Sequence, residues 1–132
     1  MVWAAVALGG ALGSLSRWAC SLWVAAFAGS GFPLTTLSVN VAGSFLLGLL
    51  QGTAAERWQN SPLYHGLGAG VLGSFTTMSA LGVETWMLFV EGRWGTALLY
   101  VGLSALFGPL FAVYGLNAGK RGFIERRVPR DG

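Results

Sequence analysis

A polar stripe runs along one apolar segment of this 132-residue chain. Thr36, Asn40, Ser44, Gly48 and Gln51 stand at steps of four, four, four and three, which puts them on one face of a helix. Amid Leu, Val and Ala, such a face is either interhelical glue or the lining of a path for a polar solute. Asn40 carries the strongest signal, because a carboxamide at membrane depth costs free energy unless it finds partners. Thr96, Tyr100, Ser104 and Gly108 repeat the step of four later in the chain, and Tyr100 and Ser104 both offer O–H donors. Beyond Gly108 that face offers only Ala112, so the track fades, and Gly108-Pro109 predicts a break or kink. Between these two faces lies Gly73-Ser74-Phe75-Thr76-Thr77-Met78-Ser79, with four hydroxyls in seven residues. Flanked by Gly66-Leu67-Gly68-Ala69-Gly70 and Ala80-Leu81-Gly82, it reads as a helix that loosens or breaks inside the bilayer. Free carbonyls and amides are tolerated there only when buried in protein or lining a polar cavity or ion site.

Other reactive residues stand alone. Arg17 lies near the middle of an apolar run, where a charge must be snorkelled, paired or set into a protein interface, and structural anchoring is the expectation. Glu84 is close enough to a membrane surface to be hydrated, as an interfacial carboxylate, a vestibule group or a cation's partner. His65 has no second ligand at metal spacing, and the single Cys20 cannot form an internal disulfide. No carboxylate pair, nucleophile elbow or phosphate loop is present, so the chain does not read as an enzyme. No nucleic-acid-binding pattern is visible either.

The elements that must position these residues are membrane helices. The chain is 54% apolar and 10% charged, against a soluble average of about 25% charged. Mean hydropathy is +0.61. Four segments are long enough to span, at roughly 2–27, 34–55, 63–90 and 95–117. They predict an all-α integral membrane fold, with the third helix broken mid-membrane. Residues 1–118 form the transmembrane domain and 119–132 a basic tail. Short connections join the spans: Gly29-Ser30-Gly31-Phe32-Pro33, then 56–62, then Glu91-Gly92-Arg93-Trp94. No positive n-region precedes the first run and Arg17 interrupts it, so the first segment is expected to remain a helix and not a cleaved signal peptide. Arg57 and five basic residues of the tail share one side, against Arg93 alone on the other. The positive-inside rule then sets both termini in the cytoplasm. Gly9/Gly13, Gly48/Gly52 and Gly66/Gly70 predict small-residue packing faces, and so thin a bundle predicts at least a dimer.

Three stretches together resemble the Fluc/CrcB fluoride-channel family: Gly9-Gly10-Ala11-Leu12-Gly13 with Arg17, Leu37 through Gly48, and Gly70 through Thr77. The resemblance covers nearly the whole chain. It implies an antiparallel dimer in the cell inner membrane, exporting toxic fluoride passively through two narrow pores, with a structural sodium ion at the dimer centre. By the same resemblance, main-chain carbonyls of Gly73 and Thr76 from each subunit hold the sodium. Asn40, Ser79, Tyr100 and Ser104 line the ion pathway, Glu84 sits in a vestibule, and Arg17 is the first-helix arginine. Such a pore suits fluoride, a small and strongly hydrated anion whose lost water must be replaced by closely spaced donors.

The chain departs from the family pattern in the pore. Met78 and Leu81 stand where the family has phenylalanines whose positive ring edges contact the ion. Ala80, Gly108 and Ala112 thin the hydroxyl track. A dual-topology homodimer also needs balanced basic residues, whereas the bias here is six against one. The expectation is therefore the fixed-orientation member of an antiparallel heterodimer, with a homodimer as the alternative. Two other readings are a small proton-coupled multidrug transporter, which needs a first-span carboxylate that this chain lacks, and a non-conducting structural partner subunit.

Overall fold

The computed structural model describes residues 1–27, 31–53 and 56–127. The expected turn residues Gly29 and Ser30, the end of the second expected span at 54–55 and the tail from Val128 onward, Arg130 included, lie outside the described residues. The chain forms α1 (Val2–Phe27), α2 (Leu34–Thr53), a short α3 (Glu56–Gln59), α4 (Pro62–His65), a π-helical stretch (Gly66–Leu72), α5 (Gly73–Phe75), α6 (Met78–Val90) and α7 (Trp94–Arg127). No strand occurs among the described residues. From α4 to α6 the chain makes one interrupted rod, so the architecture is four helices with the third broken, as an all-α membrane protein requires.

Three of the four are long and apolar enough to cross a bilayer: Leu34–Thr53, Pro62–Val90 and Trp94–Gly122. The first expected span is a 26-residue helix, ample in length. Arg17, three tryptophans and repeated Gly and Ser dilute its apolar character, so α1 does not reach the same hydropathy.

Glycine sets how closely these helices approach. A Cβ on Gly9 would meet the Gly66 carbonyl oxygen at 2.3 Å, and one on Gly13 the Val71 oxygen at 2.1 Å. Gly70 answers from the other side, 2.8 Å from the Val6 oxygen. The Gly66–Gly70 run thus lies backbone to backbone on α1. It does not unravel but widens into a π-helix, the form taken by insertions in membrane and functional helices. The α2/α7 contact is built the same way from both faces. A Cβ on Gly48 or Gly52 would meet the Ala112 or Leu116 oxygen at 2.0 or 2.3 Å, while one on Gly115 or Gly119 would meet that of Phe45 or Leu49 at 2.1 or 2.6 Å. The α7 half of this pair went unread in the sequence, although Gly115 and Gly119 carry the same spacing of four.

Of the break or kink expected at Gly108-Pro109, no break occurs, and α7 runs through Pro109 as one helix. Proline removes its own N–H from the ladder and crowds the carbonyl four residues back, and membrane helices absorb both through neighbouring helices and local adjustment. The helix itself extends past residue 117, the expected end of the fourth span. It continues to Arg127, and its 34 residues span about 51 Å at ~1.5 Å per residue, well beyond a hydrocarbon core of ~30 Å. Gly108 has no packing reason to be glycine, since a Cβ there comes no nearer than 4.0 Å to Ser44 Oγ. Gly108→Ala is accordingly expected to leave the melting temperature unchanged or raise it, with a gain of up to about 1 kcal/mol from helix propensity.

The buried centre lies between α2, α6 and α7, where Val39, Leu88, Ala97, Tyr100 and Thr36 are almost wholly covered. Phe32, Leu37, Leu81 and Phe89 pack around Leu88, Ala97 and Tyr100. The turn into α7 is set by Gly92 at φ 72°, which lets Arg93 N–H bond the Leu88 carbonyl at 2.9 Å. Arg93 then ties this turn across to the Gly31 carbonyl ahead of α2.

Candidate ion pathway

The break in the third rod is narrower than the seven-residue stretch that predicts it. Gly73–Phe75 are helical, and only Thr76 (φ −79°, ψ 157°) and Thr77 (φ −147°, ψ 123°) are extended before α6 begins. The local sequence explains both ends. Thr76 turns back, its N–H and its hydroxyl each reaching the Leu72 carbonyl at 3.1 Å. Thr77 starts the next helix, its hydroxyl accepting from Ala80 N–H at 3.2 Å as an N-cap. Thr77→Val is expected to cost about 1 kcal/mol by losing this cap, with Thr77→Ser restoring most of it. Paired thermal melts check it.

Helix α2 supplies what the break lacks. Asn40 accepts from Thr77 N–H through Oδ1 at 2.8 Å and donates from Nδ2 to the Thr77 carbonyl at 2.9 Å. One turn on, Gly43 lets the break settle onto α2: a Cβ there would strike Thr76 Cγ2 at 2.3 Å. In a continuous helix Thr77 N–H would bond the Gly73 carbonyl. Its diversion to Asn40 leaves that oxygen available beside the extended Thr76. Asn40, Ser44, Gly73, Thr76, Thr77 and Met78 line an open depression of about 260 Å³ here. Freed carbonyls and hydroxyl oxygens are the donor set of a hard cation, and the residues therefore fit one.

A second polar cluster lies toward the α6–α7 turn, where Glu84 borders an open depression of about 220 Å³ with Phe32, Leu88 and Arg93. Glu84 accepts from Thr36 Oγ1 at 2.7 Å and from Tyr100 O–H at 2.6 Å, one hydroxyl on each carboxylate oxygen. Tyr100 is 0% exposed, and Phe32 sets its ring edge against it at 5.6 Å. Ser104 spends its hydroxyl on the Tyr100 carbonyl at 2.8 Å, one turn back on its own helix. The α2 stripe thus serves both clusters, Asn40 to the break and Thr36 to Glu84, as antiparallel packing of α2 against α6 requires.

The remaining predicted residues fall around these two groups. Ser79 is exposed beside the break, its hydroxyl 3.2 Å from that of Thr77. Met78 points outward, 79% exposed, whereas Leu81 turns inward against the Tyr100 core. Arg17 lines a cavity of about 300 Å³ with Ser14, Ser21, Thr35, Thr36 and Thr77, so it faces both clusters, and it makes no ion pair with any described residue. His65 rests against Tyr64, and no group of three metal-ligating side chains occurs among the described residues. The Thr36–Glu84 link escaped the sequence reading. The signal was there, since Thr36 lies one turn before Asn40, and Glu84 two turns after Thr77.

Residues 4–116, the whole of both clusters and the helices that carry them, match the family described as CrcB-like protein, Camphor Resistance (CrcB). The chain belongs to the CrcB family. Curated CrcB relatives carry a more specific description. The chain is 46% identical over 114 residues to a "Fluoride-specific ion channel FluC" of Thermus thermophilus, covering 86% of this chain and 90% of the relative. It is 42% identical to "Fluoride-specific ion channel FluC 2" of Symbiobacterium thermophilum, covering 95% of this chain and 99% of that one. "Fluoride-specific ion channel FluC 1" of Bacillus anthracis is 40% identical, covering 90% and 88%. These relatives are ion channels and not enzymes.

Proposed function

We propose that this chain is a fluoride-conducting channel subunit that exports fluoride passively across the plasma membrane. The observation that carries the reading is the two-residue break facing Asn40, in a chain similar over most of its length to proteins named as fluoride channels. Fluoride exchanges its water for hydrogen-bond donors, and the reading assigns that role to Asn40, Ser79, Tyr100 and Ser104, with Glu84 at the vestibule end; the Tyr100 and Ser104 hydroxyls, donated to Glu84 and to the Tyr100 carbonyl, would turn to the ion only by leaving those acceptors. Arg17 supplies positive charge beside both clusters. Gly73 and Thr76 carbonyls, two from each of two antiparallel subunits, would hold a structural sodium ion at the dimer centre, and that ion would balance the converging carbonyl dipoles. Both termini face the cytoplasm by the charge bias of six basic residues against one.

Met78 and Leu81 favour a heterodimer. One is exposed and the other is packed into the core, so neither offers a ring edge to an ion. A second, homologous chain would bring the missing rings. The test is fluoride efflux from liposomes containing this chain alone. Slow efflux, accelerated when a ring-bearing family member is co-expressed, is expected. Efflux as fast as that of a member with both phenylalanines would remove the heterodimer.

A further inference from the structure

Thr77 N–H has lost the Gly73 carbonyl that a continuous helix would give it. One side chain meets both backbone polar groups of this residue: Oδ1 of Asn40 receives the N–H at 2.8 Å and Nδ2 donates to the carbonyl at 2.9 Å. A carboxamide carries one acceptor and a donor side by side, so it matches the N–H and C=O of a single residue. Gly43, on the same face of α2, removes the Cβ that would hold Thr76 away. Extended backbone at bilayer depth is thus held from α2, and it needs that support because an unsatisfied peptide group there costs several kcal/mol.

We infer that Asn40 is a positioning residue for the cation site as well as a donor to the pathway, so that one carboxamide couples the two. Holding Thr77 N–H keeps the Gly73 carbonyl free for a cation. The same two bonds fix the plane of the amide and leave its second Nδ2 hydrogen unused, on a residue that lines the same depression as Ser44, Gly73, Thr76 and Met78. A cation on the Gly73 and Thr76 carbonyls would stiffen the break and with it the direction of that hydrogen. This inference rests on the cation reading above.

The test uses the full chain in detergent and reads the break directly. In the wild type, amide exchange at Thr77 is expected to be at least about tenfold slower in sodium than in N-methylglucamine, the protection of one added hydrogen bond's worth of stability. Sodium should also raise the melting temperature. Asn40→Ala should lose both responses, and Asn40→Asp, which keeps the acceptor and loses the donor, should keep only part of the Thr77 protection. Ser104→Ala, altering the pathway away from the break, should slow flux yet keep the sodium response. An Asn40→Ala chain with undiminished Thr77 protection and sodium shift overturns the positioning role while the cation site stands. A wild type with no sodium response at Thr77 overturns the cation site and the coupling with it, whereas fluoride flux of the wild type tests the channel reading by itself.

Discussion

Replacing Glu84 with alanine is expected to destabilise the folded chain by about 2–6 kcal/mol, from two buried hydroxyls that each lose their partner at roughly 1–3 kcal/mol. Tyr100 is 0% exposed and Thr36 7%, and both donate their hydroxyls to Glu84. The same change should suppress ion flux, since it removes the group that orients the Tyr100 and Thr36 hydroxyls. A triple variant provides an internal check. Adding Tyr100→Phe and Thr36→Val to Glu84→Ala removes the stranded hydroxyls, so this chain should recover much of the lost stability while remaining inactive. Chemical denaturation of the single and triple variants measures this. If the triple variant is no more stable than Glu84→Ala, the hydroxyl–carboxylate bonds are not what the core depends on.

The second large effect is steric. A methyl group at Gly48 would stand 2.0 Å from the Ala112 carbonyl oxygen and 2.9 Å from the Leu116 nitrogen. Both are backbone atoms, so no side chain can rotate away. Gly48→Ala should therefore force α2 and α7 apart, at a cost of about 3 kcal/mol or more, the upper end for overpacking. Because the interdigitating Gly115 and Gly119 depend on the same separation, the loss spreads along the helix pair. Gly108→Ala, on α7 where space is open, is the matched control. Equal melting temperatures for the two variants would contradict close backbone contact as the basis of this packing.

Much of this architecture was legible from side-chain types. Small residues at steps of four carry helix contacts in lipid, and the glycines of α1, α2 and the third rod lie on those contacts. The polar stripe of α2 was legible because carboxamides and hydroxyls are rare at that depth, and Asn40 and Thr36 both prove to be bonded across helices. What sequence could not supply was which backbone group each one serves. Asn40 read as either interhelical glue or a donor to a solute, and its two bonds go to the backbone of Thr77 in the break, a partner that carries no side-chain signature. The break itself was overextended for a related reason. Gly73 and Ser74 are weak helix formers, but α1 packs against this segment and holds them helical. Pro109 misled in the opposite direction, since neighbouring helices can support a helix through proline.

The measurement closest to the central claim is anion efflux from liposomes loaded with potassium fluoride or potassium chloride, reconstituted with the wild-type chain or with Met78→Phe/Leu81→Phe. The double variant restores both rings in a single chain. Its vesicles should release fluoride and retain chloride, with the wild type slower under the same conditions. Vesicles that hold fluoride with either chain, or that release chloride as readily, would contradict a fluoride channel built on this break.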